Sequence, residues 1–457
     1  MNRSFSLLTA LALTICGVGC GDDEGNSNGV TPTPTAPSSV EEPSSDPVTP
    51  PPTTPSARPR LADDLPNALL LAYSQFQVEN GQVSAEPGAA RLEIIRRTAG
   101  EWQTEVILDP ESNVFHKAMP FALPGQAPGI LTIGANGAHV KLWRRGESGW
   151  SGESLWSEEF GGRHNRMRDA EIADLNGDQL LDVAVVTHDQ GIVAVLMAQA
   201  DGSMNVERLD QTPNTFVHEV EIGDLDGDGT PELYTTPSEP NSLEGGEQHG
   251  QVLRYVAGNA ESRTVVADLG NRHAKEILVA DVDGDGRDEL YVVVEALTDT
   301  GNPMTGTVTE PVEIRRYEAQ TSPTEGAVIA RIPGERLTRF LTVGDADGDG
   351  DKEMIVSTFG QGVWLLEPGR DANGEWSSEN IDRDSGGFEH AAYFTDLDGD
   401  GSEELYIADD NAGELHRYIW HADRPRRSLV TQRDRPRERM VWNITSIPVS
   451  ALSPAAE

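Results

Sequence analysis

The stretch ADVDGDGRDELYVV at residues 280–293 places alternate acidic residues and glycines directly before a run of β-forming residues. Four other stretches repeat it: ADLNGDQLLDVAVV at 173–186, GDLDGDGTPELYTT at 223–236, GDADGDGDKEMIVS at 344–357 and TDLDGDGSEELYIA at 395–408. Their first acids are Asp174, Asp224, Asp281, Asp345 and Asp396, at intervals of 50, 57, 64 and 51 residues. This period is typical of four-stranded propeller blades.

Strand signals surround every copy. Alternating residues such as HEVEI at 218–222 come before the loop, and β-branched or aromatic residues follow it. A third strand is predicted in each unit, at 192–198, 252–256, 312–319, 363–367 and 415–420. Two more third strands, at 91–97 and 139–145, precede the first loop and bring the count to seven units. In the second unit, FALPGQAPGILTIG at 121–134 stands where the Asp loop is missing.

The two ends of the repeat predict a closed ring. The first unit begins near Ala68 and lacks an inner strand, whereas the β-forming run at 440–447 has no unit of its own. Pairing that run with the first unit removes exposed strand edges. The sequence therefore predicts an all-β fold, a seven-bladed β-propeller at 61–457 closed by a C-terminal strand. The closing strand favours this ring over an open solenoid.

The Asp/Gly loops carry the chemistry of a calcium site. In the loop at 224–232, Asp224, Asp226 and Asp228 occupy positions 1, 3 and 5, and Glu232 occupies position 9. Calcium is a hard ion that takes six to eight oxygen ligands, and alternate carboxylates on a tight turn can supply several of them. The backbone carbonyl at position 7, here Thr230, can complete the shell. Glycines at positions 4 and 6 allow the turn to form.

Five calcium ions are predicted at most, one per loop. The other side-chain sets are Asp174, Asn176, Asp178, Asp182; Asp281, Asp283, Asp285, Glu289; Asp345, Asp347, Asp349, Glu353; and Asp396, Asp398, Asp400, Glu404, with carbonyls from Arg287, Asp351 and Ser402. The first set is the weakest because Asn176 replaces an acid. EF-hands are excluded because position 12 is never acidic and the flanks are β-forming. Asp-Gly turns without metal remain the alternative.

The loops resemble those of the FG-GAP/VCBS repeat family, the calcium propellers of integrin α-chains and many bacterial surface proteins. The resemblance runs from about Ala68 to the C-terminus and is strong in five of the seven units. It implies that each loop joins the inner strand of a blade to the second strand on one face of the disc. The Phe-Gly and Gly-Ala-Pro sequence elements of the integrin repeats are poorly matched in this chain, so the resemblance does not extend to the integrins themselves.

The N-terminus reads as an export signal and a tether. Residues 1–19 combine Arg3 with a short apolar run, which is typical of a signal peptide. The following GVGC at 17–20 resembles a bacterial lipobox, although Gly17 stands where leucine is usual, and it implies lipidation of Cys20. Residues 20–60, rich in Pro, Ser and Thr, predict a disordered linker. The predicted location is the bacterial outer membrane or cell surface, and a plain secretory signal is the alternative.

Composition narrows the choice of partners. The formal net charge of −41 excludes nucleic acid as a natural partner, because such a surface repels phosphate backbones. Both cysteines, Cys16 and Cys20, lie in the N-terminal segment, so no disulfide can brace the repeat region. The membrane is expected to be reached through the lipid anchor only.

A possible ligand site comes from residues six positions before each first aspartate. These are cationic or imidazole side chains: Arg168, His218, Lys275, Arg339 and His390. A ring of this kind at the channel mouth, opposite the calcium loops, would bind an anionic group. The alternative is that neighbouring acids, Asp169, Glu219 and Glu276, pair with basic residues of the next blade. Two long insertions, at 236–251 and 295–311, are predicted on the same face.

The predicted function is a cell-surface binding or adhesion module for a glycan or a protein. No nucleophile elbow, zinc spacing or phosphate loop is present in the sequence, so an enzyme is the less favoured reading. The stretch at 272–292 resembles blades of bacterial polysaccharide lyases, and such a lyase is the first alternative. A non-catalytic envelope scaffold is the second.

Overall fold

We describe a computed structural model of the chain. It describes residues 61–453 except 81, 136, 162–164, 240–248, 301–304, 370, 422–423 and 436–437. The chain divides into two units, Met1–Ala62 and Asp63–Glu457. The predicted signal peptide, Cys20 and the linker to residue 60 lie outside the described residues. Across the described part of the chain, no helix is long and apolar enough to cross a membrane.

The described residues of the second unit form seven antiparallel blades. The strands of the first three are β1 (Asn67–Glu79), β2 (Gln82–Pro87), β3 (Ala90–Thr98), β4 (Glu101–Asp109); β5 (Phe115–Phe121), β6 (Gly129–Gly134), β7 (His139–Gly146), β8 (Gly149–Ser157); and β9 (Met167–Ala173), β10 (Asp182–Thr187), β11 (Ile192–Ala198), β12 (Met204–Gln211). The seven predicted third strands are confirmed, three of them here as β3, β7 and β11.

The next two blades carry the insertions. Their strands are β13 (Phe216–Gly223), β14 (Glu232–Glu239), β15 (His249–Val256), β16 (Asn259–Asp268); and β17 (Ala274–Ala280), β18 (Glu289–Val294), β19 (Leu297–Thr298), β20 (Val308–Glu310), β21 (Val312–Tyr317), β22 (Ala327–Ile332). Strands β19 and β20 form a small separate hairpin between the second and third strands of blade 5. The first insertion extends β14 and β15, and its centre lies outside the described residues.

The last two blades and the closing strand complete the set: β23 (Thr338–Gly344), β24 (Glu353–Thr358), β25 (Val363–Glu367), β26 (Ser377–Asp382); β27 (Ala392–Thr395), β28 (Glu404–Asp409), β29 (Glu414–His421), β30 (Arg424–Gln432); and β31 (Arg439–Pro448). A short 3-10 helix, Val449–Leu452, follows β31. Within each of blades 2 to 7 the main strands pair in sequence order, so each blade is a simple up-and-down sheet.

The ring closes through its C-terminal strand. Strand β31 pairs antiparallel with β1, with Leu69 opposite Ser446 and Leu71 opposite Ile444, and so becomes the inner strand of blade 1. The inner strands β5, β9, β13, β17, β23, β27 and β31 contact one another in that order, and β31 returns to β5. The predicted seven-bladed propeller and its closing strand at 440–447 are confirmed.

Burial follows the position of a strand within its blade. Second strands such as β10 and β18 are buried along their whole length, because both faces of a blade pack on neighbouring blades. Their sequences are accordingly apolar runs rather than alternations. Fourth strands such as β8 and β16 are largely exposed. The core is divided into apolar clusters between neighbouring blades, six of which join blades 1 to 7 pairwise.

Candidate functional site

The five Asp loops all lie at one end of the ring. Each joins an inner strand to a second strand, from β9 to β10, β13 to β14, β17 to β18, β23 to β24 and β27 to β28. Because the inner strands of these blades enter their loops in the same sense, the loops share one face. The second blade turns from β5 to β6 without an Asp ladder, as its sequence predicts.

The first aspartate of each loop holds the turn together. In the loop at 345–353, the amides of Gly348 and Asp349 donate to Asp345 Oδ1 at 2.7 and 3.1 Å, and the Gly350 amide donates to Oδ2 at 3.1 Å. Gly348 and Gly350 have φ values of +81° and +97°, which only glycine adopts without strain. The Asp345 side chain therefore shapes the loop before any ion binds.

Four loops gather acidic groups that can hold a metal ion. In each, three carboxylates place one oxygen apiece within 4.8 Å of the others. Among the described residues these sets are Asp224, Asp226, Glu232; Asp281, Asp283, Asp285; Asp345, Asp347, Glu353; and Asp396, Asp398, Asp400. The remaining predicted ligands Asp228, Glu289, Asp349 and Glu404 lie in the same loops, as do Thr230, Arg287, Asp351 and Ser402.

The loop at 174–182 is different. Both carboxylate oxygens of Asp182 accept backbone amides, from Leu175 at 3.1 Å and Ala198 at 2.8 Å. The Asn176 side-chain amide donates to Asp178 at 3.1 Å, and Gln179 adopts a φ of +68° where the other loops have glycine. Among the described residues, this loop is the one of the five in which no three carboxylates converge.

Burying several carboxylates close together is electrostatically unfavourable. Burial, with neighbouring aspartates adding to it, raises the pKa of Glu353 to about 7. Burial likewise raises the pKa of Glu289 and of Glu404 to about 7. The Oδ1 atoms of Asp281 and Asp398 are buried without a hydrogen-bond partner among the described residues. Hard oxygen donors that repel one another and keep free lone pairs fit a divalent hard cation.

The five cationic or imidazole residues lie at the opposite end from the Asp loops. Arg168, Lys275 and Arg339 stand at the second position of the inner strands β9, β17 and β23, His218 stands at the third position of β13, and His390 lies just before β27. All five are less than 9% exposed. Their proposed role in ligand binding stays a prediction, and their burial limits direct access for a ligand.

Four of the five are joined in a network of buried contacts. Arg168 Nη2 donates to His218 Nδ1 at 3.1 Å, and the His218 ring lies 5.1 Å from that of His273. Lys275 and Arg339 share Glu389, at 3.8 and 2.8 Å. These contacts join blade 3 to blade 4, and blades 5 and 6 to the segment before β27, so they fasten neighbouring parts of the ring together.

Several of these contacts are the ion pairs with neighbouring acids that the sequence offered as the alternative to a ligand site. Lys117 of blade 2 pairs with Asp169 of blade 3 at 3.1 Å, and Arg168 of blade 3 approaches Glu219 of blade 4 at 3.9 Å. Lys275 pairs with Glu276 of its own strand. Sequence reasoning missed Glu389, although it directly precedes His390, and it missed Trp442, whose ring lies 5.4 Å from the Arg168 guanidinium.

Burial also decides the charge of the histidines. Burial, with help from Arg168 and Lys275, holds the pKa of His218 well below its usual range. Burial lowers the pKa of His273 to about 3. Neutral imidazoles cannot neutralise an anion, so among the five residues the positive charge comes from Arg168, Lys275 and Arg339, which lie beside the acidic side chains of Glu219, Glu276 and Glu389.

His390 stands apart from this network as a satisfied core histidine. Its Nδ1 donates to the Thr358 carbonyl at 2.7 Å, so its Nε2 accepts from the Ser385 hydroxyl, also at 2.7 Å. Its own carbonyl accepts the Ser357 hydroxyl at 2.6 Å, and its φ is +49°. Burial lowers the pKa of His390 to about 4, in keeping with a neutral ring.

Replacing His390 by alanine is expected to destabilise the protein by about 2–4 kcal/mol, because it leaves buried groups of Thr358 and Ser385 without partners and opens a cavity. Chemical denaturation monitored by tryptophan fluorescence measures this loss. His249→Ala is the matched control: that side chain is 53% exposed, and a change within about 0.5 kcal/mol is expected. Unchanged stability of the His390→Ala variant would contradict this structural role and would favour the ligand-binding role predicted from the sequence.

The comparisons with known proteins support the repeat and the fold. Residues 131–235, less than half of the chain, match the FG-GAP-like repeat family. A crystal structure of a protein from Lactobacillus plantarum is similar with a TM-score of 0.50 and 12% identity, over 84% of this chain and 99% of that one. At this identity the similarity shows the fold alone.

A second similar structure is a Bacteroides fragilis protein named provisionally as a 6-phosphogluconolactonase. Its TM-score is 0.47 and its identity 12%, over 83% of this chain and 98% of that one. Among curated proteins, no sequence matches this chain significantly. The molecule is thus a seven-bladed β-propeller containing FG-GAP-like repeat sequence, with acidic loop clusters on one face.

Proposed function

We propose that the protein is an exported, lipid-anchored calcium-binding propeller that presents one face to a glycan or protein at the cell surface. The observation that carries this proposal is the repeated convergence of three carboxylates in four loops of one face. The lipobox-like GVGC at 17–20 and the Pro-rich segment supply the anchor and the tether. Calcium is preferred to a softer metal because every side-chain donor in these loops is oxygen.

The carboxylates at positions 1, 3, 5 and 9 would hold the ion, with the position-7 carbonyl as a further ligand. Bound calcium supplies positive charge and no redox chemistry. The first aspartate keeps the turn in shape, and the ion relieves repulsion among the others. Extracellular modules commonly bind calcium at about 10⁻⁴ to 10⁻³ M, so permanent occupancy outside the cell is expected.

The partner is expected on exposed loops of the face opposite the calcium loops. At that end the basic side chains are buried in ion pairs, whereas the β19–β20 hairpin stands on the surface of blade 5. The hairpin is anchored by Arg272, whose Nη1 lies 3.3 Å from Glu310, and by Arg336, which donates to the Thr305 carbonyl at 3.1 Å. A braced hairpin on a rigid scaffold is a common platform for binding.

A pull-down tests the proposed function. The full chain is immobilised and offered acidic polysaccharides, neutral polysaccharides and surface proteins, with 5 mM calcium or with chelator, and the retained sugar is examined for cleavage. Retention of an intact partner with calcium only is the expected result. A hairpin variant, Thr309→Asp with Glu310→Lys, is expected to weaken retention at least about tenfold, which corresponds to about 1.4 kcal/mol of binding free energy.

Cleaved sugar with unsaturated ends would overturn the binding-module reading in favour of a lyase. No retention of any partner under either condition would favour an envelope scaffold. Calcium titration by calorimetry on the same sample separates the two halves of the proposal, because the propeller can bind calcium without retaining a partner.

A further inference from the structure

An arginine from a third strand reaches the carboxylates of three of the Asp loops, and the repeat pattern does not predict it. Arg254 lies 2.5 Å from Asp226 and also pairs with Glu232. Arg316 lies 2.7 Å from Asp283 and 3.1 Å from Glu289. Each arginine comes from the third strand of its blade, β15 or β21, and reaches the carboxylates at positions 3 and 9 of the loop.

The third case repeats the geometry. Arg417 of β29 lies 3.3 Å from Asp398 and pairs with Glu404. In all three blades the arginine sits opposite a second-strand tyrosine in the sheet register: Tyr234 with Arg254, Tyr291 with Arg316 and Tyr406 with Arg417. The same contact therefore recurs in blades 4, 5 and 7.

The tyrosine and the arginine act on the same glutamate. The hydroxyl of Tyr234 donates to Glu232 at 2.5 Å, that of Tyr291 to Glu289 at 3.0 Å and that of Tyr406 to Glu404 at 3.4 Å. The position-9 carboxylate is thus held by a hydrogen bond and an ion pair. A cation that binds it must compete with both partners.

The loop at 345–353 lacks both partners. Ile355 takes the tyrosine position, and its register neighbour on β25 is Leu365 rather than arginine. Glu353 Oε2 accepts the Ala346 amide at 2.8 Å. Within the described residues, no lysine or arginine pairs with Asp345, Asp347, Asp349 or Glu353, so this acidic cluster has no internal counter-ion.

We propose that Arg254, Arg316 and Arg417 are built-in counter-ions that hold three loops in shape without calcium and weaken calcium binding there, leaving the loop at 345–353 as the tightest site. The physical reason is Coulombic: a guanidinium beside the carboxylates repels an incoming cation and occupies oxygens that it needs. This inference rests on the proposed calcium binding, and it divides into two classes the four acidic loops that the repeat alone predicts to be alike.

The test is calorimetric titration of calcium into the chelator-treated full chain. Wild type is expected to show one tight site and a weaker class. The triple variant Arg254→Gln, Arg316→Gln, Arg417→Gln is expected to bind calcium about tenfold tighter at the weaker class and to melt earlier without calcium. Arg315→Gln is the matched control, because Arg315 adjoins Arg316 but pairs with Glu313 at 2.6 Å, away from the loop.

The outcomes separate this inference from calcium binding itself. A single class of sites in wild type, or unchanged or weaker affinity in the triple variant, overturns the counter-ion inference while calcium binding stands. No calcium binding in any protein overturns the proposed function. If the triple variant does not fold, Asp347→Asn decides the matter: loss of the tight site supports the inference, and loss of a weak site overturns it.

Discussion

Removing calcium is expected to lower the melting temperature of the protein by about 10 °C. With a Kd near 10⁻⁴ M, 5 mM calcium stabilises the folded state by about 2.3 kcal/mol per site, or roughly 9 kcal/mol over four acidic clusters. At about 2.1 cal/mol/K of unfolding entropy per residue, a propeller of this size needs about 0.8 kcal/mol for each degree. Scanning calorimetry in calcium and in chelator measures the shift.

Magnesium and sodium chloride at matched ionic strength are the controls. Magnesium demands a near-ideal octahedral shell with shorter bonds, which a flexible Asp loop does not supply, so it is expected to restore only a small part of the stability. Sodium chloride tests general screening of the −41 charge. Equal melting temperatures in calcium and in sodium chloride would contradict specific calcium sites.

The propeller and its Asp loops could be predicted because their signals are local. The loop at 280–293 and its copies combine turn residues with strand residues at a fixed distance, and the period alone indicates the blade. The closing strand could be predicted for a related reason. In the sequence, blade 1 lacks an inner strand and the β-forming run at 440–447 has no blade of its own. Placing that run in blade 1 accounts for both observations.

The arginines could not be predicted from the repeat, because their distance along the chain from the loop varies with the insertions. Arg254, Arg316 and Arg417 are aligned only by the sheet register, although an Arg-Tyr pair on each third strand was a usable signal. Tertiary packing also determines the burial and the ion-pair partners of the basic residues. Glu389 and Phe388, from the segment before β27, cover Arg339, and no periodicity places that segment there.

Deleting residues 439–457 is expected to abolish folding of the propeller. The deletion removes β31, whose side chains Val441, Trp442, Ile444 and Ile447 are at most 7% exposed. Losing four such side chains costs about 6–12 kcal/mol, which is comparable to the whole stability of a typical domain. It also leaves the β1 edge unpaired, and unpaired edges promote aggregation. Soluble yield and scanning calorimetry measure the effect.

A chain ending at residue 453 is the control, because it keeps β31 and the 3-10 helix that follows it. Ile444→Asp tests the same contact without changing chain length, since this side chain is fully buried and its backbone lies opposite Leu71. A synthetic peptide of residues 439–453 added during refolding is expected to restore part of the soluble yield by pairing with β1. Cooperative melting of the truncated chain at the wild-type temperature would mean that blade 1 is stable without its inner strand and that the ring is held by the contacts between the other blades alone.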